Sequence, residues 1–294
     1  MLNDISILIE VVLNGLFVGG IFALFSVGLT LIFGIMNIVN FAHGEFIMLG
    51  MYMAFWIFAI LGINPYLAIV IIAPAFFLLG LITQKLVIQP ILRSFGVAQL
   101  FATVGLGIIM QNSALILWKA DPRSIRGIFG QSEYFVVGDV RIFYTELTAF
   151  LIATVMTFLL VAFLKHTKLG KSMRATSQDL QSAQLMGINV KRIYLVAFAI
   201  SSACIGISGA VIVPIYPVVP TVGFHFALMA FVVVILGGIG NVYGTFLAGL
   251  TIGVIDSLAG FYLDTAFKEC TNFLILLIIL WFRPSGLFAK QRSL

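Results

Sequence analysis

Residues 34–50 read Gly34-Ile-Met-Asn37-Ile-Val-Asn40-Phe-Ala-His43-Gly44-Glu45-Phe-Ile-Met-Leu-Gly50, a polar cluster between two strongly hydrophobic segments. Asparagine, histidine and glutamate cost free energy in hydrocarbon, so a membrane protein that holds them there usually uses them. Polar or non-helical backbone is tolerated at that depth only where it is buried in protein or lines a water-filled path. The stretch therefore predicts a translocation pathway that Asn37, Asn40, His43 and Glu45 line or gate. A purely structural network that satisfies freed backbone groups is the equally weighted alternative.

The composition defines the class of protein. The chain has 294 residues, of which 62% are hydrophobic and 9% are charged, and its mean hydropathy is +1.17. Soluble domains carry about 25% charged residues, and a folded globule needs a polar exterior. The chain is therefore predicted to be an all-α polytopic integral membrane protein, with residues 1–294 forming a single transmembrane domain in the lipid bilayer. Its net charge of +5 then reflects orientation and does not indicate nucleic-acid binding.

Nine apolar segments are candidates for membrane spans, which need about 20 residues to cross a hydrocarbon layer ~30 Å thick. They cover residues 7–33, 46–61, 66–88, 99–118, 147–164, 193–213, 226–236, 243–263 and 272–282. The segments at 46–61 and 226–236 are short, so the pattern predicts eight or nine transmembrane helices, some of them discontinuous. Glycines mark the expected interruptions: Gly34, Gly44, Gly237, Gly238 and Gly240. A break at Gly44 would bring His43 and Glu45 to one cavity.

A weak internal similarity relates the two halves of the chain. Residues 33–37, Phe-Gly-Ile-Met-Asn, resemble residues 237–241, Gly-Gly-Ile-Gly-Asn, and each stretch follows one hydrophobic segment and precedes another. Inverted repeats are common in transporters, whereas so short a similarity also arises by chance in a glycine-rich chain. An inverted repeat is therefore one of two interpretations of this pattern.

The distribution of charge orients the chain. Residues 165–192 hold six basic residues and one acid, whereas residues 119–146 hold four of each, and the C-terminal tail adds Arg283, Lys290 and Arg292. Cytoplasmic loops of membrane proteins are enriched in lysine and arginine. We therefore expect the 165–192 loop and the C-terminus in the cytoplasm and the 119–146 loop outside, with the N-terminus outside if there are nine spans and inside if there are eight.

The 165–192 loop also has a helical pattern. Leu180, Ala183 and Gly187 lie at positions i, i+3 and i+7, on one face of a short helix that Gly187 and Asn189 are placed to end. Such a helix outside the membrane suits docking into a groove on a partner protein, although a solvated helical loop is the simpler alternative. The Gly170-Lys171-Ser172 stretch lacks the first glycine and the preceding strand of a phosphate-binding loop. Any ATPase must therefore be another polypeptide, and the scattered histidines and cysteines offer no metal site.

Several ordered motifs carry a resemblance to one family. Asn40-Phe41-Ala42-His43-Gly44-Glu45 with Met48-Leu49-Gly50 resembles the signature of the H-type permease subunits of branched-chain amino acid ABC importers. Residues 169–175 and 185–189 are similar to the ATPase-coupling motif of that family, although Gln181-Ser182-Ala183 departs from the general Glu-Ala-Ala pattern. Residues 237–249 and the ending Trp281-Phe-Arg-Pro-Ser-Gly-Leu-Phe288 also match.

The resemblance implies a transport subunit, not an enzyme, in the cytoplasmic membrane of a bacterium or archaeon. Its implied partners are a second homologous permease, two ATPase subunits that carry the ATP and magnesium, and a periplasmic or surface-anchored amino-acid-binding protein. No cofactor is expected in this chain. The coupling residues that it indicates are Arg174, Asp179, Ala183, Leu185 and Gly187.

Alternative functions remain open from the sequence. Urea and short-chain amide permeases share the Ala-His-Gly-Glu core. An ion-coupled secondary transporter would use Glu45 and Asp256 as ion sites, and Asp256 either faces the pathway or forms an ion pair within the bundle. Asn272 is expected to cap the last span. The small-residue pairs Gly15/Gly19 and Gly249/Gly253 predict close helix contacts, inside the bundle or across a permease dimer.

Overall fold

A computed structural model describes residues 2–92, 94–125, 133–263, 267–283 and 286–288 of the chain. Its helices are α1 (Leu2–Met36), α2 (His43–Leu61), α3 (Pro65–Thr83), a π-helical turn (Gln84–Ile88), α4 (Gln89–Ile91), α5 (Gly96–Trp118), α6 (Tyr144–His166), α7 (Lys168–Gln178), α8 (Leu180–Leu185), α9 (Val190–Ile212), α10 (Val222–Gly237), α11 (Val242–Tyr262) and α12 (Lys268–Phe282).

The nine predicted apolar segments are all helical, which confirms the all-α polytopic class. Within the described residues, seven helices are long and apolar enough to cross a bilayer: α1, α2, α3 with its extension to Ile91, α5, α6, α9 and α11. The apolar helices at 222–237 and 270–282 are shorter. The eight or nine spans predicted from hydrophobicity thus correspond to seven long helices and two short ones. The second segment is longer than predicted, because α2 begins at His43 and has 19 residues.

A small β-hairpin in the 119–146 loop provides the two β-strands of the described residues, which also contain an isolated bridge between Arg123 and Val218. Strands β1 (Tyr134–Val137) and β2 (Val140–Phe143) pair antiparallel, with Val137 opposite Val140. Gly138 has a φ of +65°, which the tight turn between the strands requires. Residues 126–132 of this loop, including the Arg126 counted in its charge, lie outside the described residues.

Helix α1 packs against α11 through glycines on both helices. A Cβ added to Gly15 would lie 2.7 Å from the carbonyl oxygen of Gly253, and one added to Gly19 would lie 2.7 Å from that of Gly249. The backbones are therefore in direct contact, the arrangement that small residues four apart permit in membranes. This contact confirms the close packing predicted from the glycine pairs and places it inside the chain.

The bundle has two ends. At the hairpin end, Glu10 accepts a hydrogen bond from Arg141 N at 3.4 Å, and Arg123 and Val218 exchange backbone hydrogen bonds of 3.0 and 2.8 Å. This end therefore contains the start of α1, residues 119–125 and 133–146, and the 213–221 segment.

The opposite end, here called the α7–α8 end, carries the ends of α1 and α10 together with the start of the C-terminal tail. Leu287 N donates a 2.9 Å hydrogen bond to Leu236 O, and Asn241 Nδ2 donates one of 2.7 Å to Phe288 O. Residues 286–288 thus lie on the same side as the 165–192 loop, as the charge pattern predicts. Lys290 and Arg292 lie outside the described residues, as do Pro284 and Ser285 of the C-terminal motif.

We predict that Gly19→Leu disrupts the α1–α11 contact. The new side chain meets the backbone of α11, so we expect a loss of about 1–3 kcal/mol in the free energy of unfolding. Thermal unfolding of the purified protein in detergent measures the effect. Gly105→Leu on α5 is the control, because a Cβ added there has no atom within 4 Å. Equal melting temperatures for the two variants would contradict this packing.

Candidate functional site

The polar stretch at residues 34–50 contains a break between α1 and α2. Helix α1 ends at Met36, and Asn37 adopts a φ of +54°, which turns the chain back on itself. Asn40 then organises the entry to α2, since its Oδ1 accepts a 3.2 Å hydrogen bond from Ala42 N and its carbonyl accepts one of 3.3 Å from His43 N. The break therefore falls at 37–42. The prediction that it falls at Gly44 is wrong, because Gly44 lies in the first turn of α2.

Helix α2 begins deep in the bundle. The Nε2 atom of His43 is 2.9 Å from the carbonyl oxygen of Phe25. Phe25 precedes the end of α1 by eleven residues, which corresponds to about 16 Å at 1.5 Å per residue. That distance is about half of a ~30 Å hydrocarbon layer. Residues 37–42 therefore re-enter the bundle from the α7–α8 end, and α2 starts near its middle.

A second break enters from the hairpin end. Helix α9 ends at Ile212, residues 213–221 are not helical, and α10 begins at Val222. The ring of Phe226, in the first turns of α10, lies 5.9 Å from the ring of Phe25. Because the rings of Phe226 and Phe25 are in contact, α10 begins at about the same depth as α2.

Helices α2 and α10 run in opposite directions, and both are here called half-inserted because each begins inside the bundle, although α2 is long enough to cross a bilayer. Helix α2 runs toward the hairpin end, where Tyr66 Oη, just after it, donates a 3.2 Å hydrogen bond to Thr145 O. Helix α10 runs toward the α7–α8 end, where Gly240 approaches Gly34 near the end of α1. The N-termini of α2 and α10 therefore meet in the middle of the bundle, and both helix dipoles present their positive ends there.

Backbone contact joins the two N-termini. A Cβ on Gly44 would collide with the carbonyl oxygen of Gly223, and the side chain of Ala227 is 2.8 Å from the same position. Any larger residue at position 44 would push α2 away from α10. Gly44 is therefore a contact glycine and does not itself mark the interruption.

Glu45 points into this meeting place. Its side chain is 7% exposed, and a Cβ added to Gly223 would lie 2.7 Å from its Oε1 atom. Gly107 of α5 covers the other side, since a Cβ there would be 3.5 Å from Glu45 Cγ. The buried Oε2 atom has no hydrogen-bond partner among the described residues. The positive ends of α10 and of α2, in whose first turn Glu45 lies, offset part of the cost of this carboxylate.

The neighbouring polar atoms are also incompletely bonded. Asn40 Nδ2 and His43 Nδ1 are buried and have no partner in the described part of the chain. Asn40, His43 and Glu45 thus form one buried set of polar groups, hereafter the polar cluster. Asn37 is not part of it, because its side chain is exposed at the α7–α8 end and its role is in the turn.

Asp256 is paired with two side chains of α12. Its carboxylate accepts a 2.9 Å hydrogen bond from Asn272 Nδ2 and lies 3.4 Å from Lys268 Nζ, both on α12. This arrangement favours the ion-pair alternative over a place in the pathway. The prediction that Asn272 caps the last span is wrong, because α12 begins at Lys268 and Asn272 is fully buried within it.

The third interruption connects α10 to α11. Gly238 and Gly240 have φ values of +87° and +79°, and Asn241 Oδ1 accepts a 3.1 Å hydrogen bond from Gly244 N to begin α11. Of the five predicted glycines, these two lie in a break, whereas Gly34, Gly44 and Gly237 lie within helices. The similar stretches 33–37 and 237–241 contact each other at Gly34 and Gly240. They are not counterparts in an inverted arrangement, because 37–42 and 213–221 are the two breaks of opposite direction.

The 165–192 loop folds into α7 and α8. Asp179 caps α8 by accepting hydrogen bonds of 2.9 and 3.1 Å from Gln181 N and Ser182 N. The Ser182 hydroxyl and backbone N–H hold the pKa of the Asp179 carboxyl below its ordinary value. The cap is therefore complete at neutral pH, and its contribution is lost only as the pH falls through that lowered pKa. Arg174 is exposed on α7.

The tip of this loop presents apolar side chains. Leu185 is 87% exposed and Met186, which the sequence pattern missed, is 83% exposed. Ala183 faces inward and is buried. Gly187 ends α8 with a φ of +79°, and Ile188 N donates a 3.1 Å hydrogen bond to Ala183 O. Asn189 was expected to end this helix but instead begins α9, accepting a hydrogen bond from Arg192 N.

Opposed half-inserted helices around buried polar groups, together with an exposed helix at one end, define a polytopic transport protein. Comparison with known proteins agrees with this class. Residues 11–282 match the family model described as the permease component of branched-chain amino acid transport systems. The chain belongs to that family.

Individual relatives match more than nine-tenths of this chain. The chain is 30% identical over 294 residues to the high-affinity branched-chain amino acid transport system permease protein LivH of Salmonella typhimurium, covering 94% of both chains. It is 30% identical over 300 residues to BraD of Pseudomonas aeruginosa, covering 96% of both. It is also 27% identical to the permease LivM of Salmonella typhimurium, covering 92% of this chain and 68% of LivM. No solved structure matches.

We predict that Gly223→Ala destabilises the protein through Glu45. The three atoms nearest the added Cβ all belong to Glu45, so we expect a loss of about 1–3 kcal/mol in the free energy of unfolding. Combining the variant with Glu45→Ala should reduce that loss by about 1 kcal/mol or more. Chemical unfolding of the two single variants and the double variant measures the coupling.

Gly44→Ala is the matched control, because its added Cβ meets backbone, which Glu45→Ala leaves in place. Strictly additive losses for Gly223→Ala and Glu45→Ala would show that the two residues do not touch.

Proposed function

We propose that this chain is a transmembrane permease subunit of an ABC importer that moves branched-chain amino acids into the cytoplasm. The support for the substrate class comes from its relatives LivH and BraD, which are named as permeases for such amino acids and match nearly the whole chain. The observation that carries the mechanism is the position of Glu45 where α2 and α10 meet, with an Oε2 atom that has no hydrogen-bond partner in the described part of the chain.

The site chemistry suits an amino acid better than urea or a short-chain amide. A zwitterion needs an anionic group near its ammonium and N–H donors near its carboxylate. Glu45 supplies the first, and the N-termini of two half-inserted helices supply the second. Urea and simple amides carry no charge that a buried carboxylate would match. Asn40 Nδ2 and His43 Nδ1 are further groups available to a polar substrate.

We infer that the exposed tip of α8 docks on an ATPase subunit. Leu185 and Met186 project from the loop with no apolar covering, and short apolar helices of this kind insert into grooves. Two ATPases would carry the ATP and magnesium. Their closure would move α7 and α8 and, through the ends of α1 and α10, the meeting place of the half-inserted helices. The permease itself performs no covalent chemistry.

The remaining partners follow from the sidedness. A second permease related to LivM would complete the pathway, as LivM itself resembles this chain. The basic 165–192 loop and the C-terminus face the cytoplasm by the positive-inside rule. A binding protein outside would then deliver the substrate to the hairpin end, where a cavity of about 550 Å³ lies among α1, α11 and the hairpin. We place the assembly in the cytoplasmic membrane of a bacterium or archaeon.

We predict that Glu45→Gln lowers ATP-dependent leucine uptake about tenfold or more, the equivalent of ~1.4 kcal/mol in the barrier. The melting temperature should stay the same or rise, because the amide keeps the size of the side chain and removes an uncompensated charge. Uptake of labelled leucine by proteoliposomes that contain the whole transporter measures the first effect.

Asp256→Asn is the contrasting variant, since it removes the charge partner of Lys268 and should lower the melting temperature. If the Glu45→Gln variant takes up leucine at the wild-type rate, Glu45 has no role in the pathway. Uptake that survives ATP depletion and ends when the ion gradient is dissipated would favour the secondary transporter, and competition by urea but not by isoleucine would favour the amide permease.

We predict that Leu185→Glu combined with Met186→Glu releases the ATPase subunits. These side chains are exposed, so the variant should fold normally and lose only the apolar contact. Affinity purification under a tag, followed by identification of the retained subunits, measures the effect. Val136→Glu is the control, because Val136 is also an exposed apolar residue, 56% accessible, but lies on the hairpin. Gly187→Arg is a poorer probe, since φ at Gly187 is positive and any side chain strains the turn.

Retention of ATPases by the double variant would exclude the α8 tip as the docking element, and a wild-type chain that purifies alone and transports without ATP would exclude the importer.

A further inference from the structure

A cavity of about 360 Å³ opens at the α7–α8 end, between the last turn of α6, helix α7 and the start of α11. Two cations line it, Lys165 from α6 and Arg174 from α7, together with Tyr243 from α11. Its remaining wall holds the apolar residues Val161, Leu164 and Val242 together with Gly240 and Asn241, whose side-chain amide is already hydrogen-bonded to Phe288 O and Gly244 N. The site is distinct from the polar cluster, which lies in the middle of the bundle.

The two cations are not neutralised. No aspartate or glutamate lines the cavity, and neither Lys165 nor Arg174 has an ion pair among the described residues. They come from different helices and converge on one space, so their charges reinforce each other there. Tyr243 is 57% exposed beside them and adds a hydroxyl donor. The cavity therefore suits an anion that accepts several hydrogen bonds.

The position of the cavity indicates that its ligand is amphiphilic. Lys165 lies in the last turn of a membrane-spanning helix, where long basic side chains reach the headgroup layer. Toward the middle of the membrane, α6 exposes Val155, Phe158 and Leu159. The ring of Phe158 lies 6.0 Å from that of Phe246, which joins α6 to α11 on this surface. An apolar surface thus continues from the cationic cavity into the hydrocarbon.

We propose that this cavity binds the phosphate headgroup of an anionic phospholipid, whose acyl chains lie along α6 and α11. The headgroup contacts Lys165, Arg174 and Tyr243. A smaller cavity of about 50 Å³, which shares Arg174 and Gly240, continues inward to Gly34 near the end of α1. The bound lipid therefore lies against α7 and close to the end of α1. Its binding stabilises the present packing of these two helices.

Native mass spectrometry of the purified protein tests the proposal, with equimolar phosphatidylglycerol and phosphatidylcholine of identical acyl chains as probes. Each cation near an anionic headgroup strengthens binding about fivefold, equivalent to ~1 kcal/mol. We expect wild type to retain phosphatidylglycerol preferentially and Lys165→Gln/Arg174→Gln to lose about 25-fold in affinity for it. Lys168→Gln/Lys171→Gln is the matched control, since it removes equal charge from exposed residues outside the cavity and should retain the preference.

The charge-preserving exchange Lys165→Arg/Arg174→Lys separates lipid binding from misfolding, because it should keep the preference. Equal retention of the two lipids by wild type, or undiminished phosphatidylglycerol binding by Lys165→Gln/Arg174→Gln, would overturn the proposal. Displacement of the lipid by millimolar inorganic phosphate would make the cavity a soluble-anion site. Loss of ATPase subunits from Lys165→Gln/Arg174→Gln with lipid binding intact would make it a protein contact.

Discussion

Backbone N–H and C=O groups that leave a helix inside hydrocarbon must find partners within the protein, and this fold meets that demand at two interruptions. Between α1 and α2, Asn40 accepts from Ala42 N, and Thr103 Oγ1 of α5 lies 3.4 Å from Val39 O. Between α9 and α10, Val218 exchanges backbone hydrogen bonds with Arg123. Each break is therefore hydrogen-bonded to a segment distant in sequence. These hydrogen bonds fix the positions of α5 and of the 119–125 loop.

The close packing of glycines makes these positions compatible with one another. Gly15 and Gly19 bring α1 against the backbone of α11, and Gly44 brings α2 against the backbone of α10. Without side chains at these contacts, the helices approach closely enough for the two N-termini to meet beside Glu45. The site therefore depends on backbone packing. The glycine contacts determine where the two N-termini lie, and this determines the positions of the polar side chains.

The hydrophobic pattern was sufficient to predict the class of fold and the position of each apolar helix, because the required span length is a strong constraint. The breaks were harder to locate. The sequence predicts an interruption at Gly44, which would bring His43 and Glu45 to one cavity, whereas in the structure this glycine permits a contact with Gly223 that no local pattern encodes. The sequence predicts that Asn189 ends one helix, but the residue begins α9, because an asparagine between two short helical patterns suits the end of one and the start of the next equally well. The exposure of Met186 depends on how α8 packs against the rest of the loop, which the sequence pattern does not reveal.

The carboxylate of Glu45 separates structural from functional explanations of the polar cluster. Asn40 and His43 each make a hydrogen bond that orders the break, so a structural role accounts for them. Oε2 of Glu45 makes no such bond to the described residues, although a carboxylate without a partner costs about 2.5–3.5 kcal/mol at the centre of a membrane helix on insertion scales. Asp256 shows the structural solution available to the same chain, a lysine and an amide on the adjacent helix. Among the described residues, the chain neutralises one buried acid and leaves Oε2 of the other without a hydrogen-bond partner, and this contrast is the basis for proposing a pathway role for Glu45.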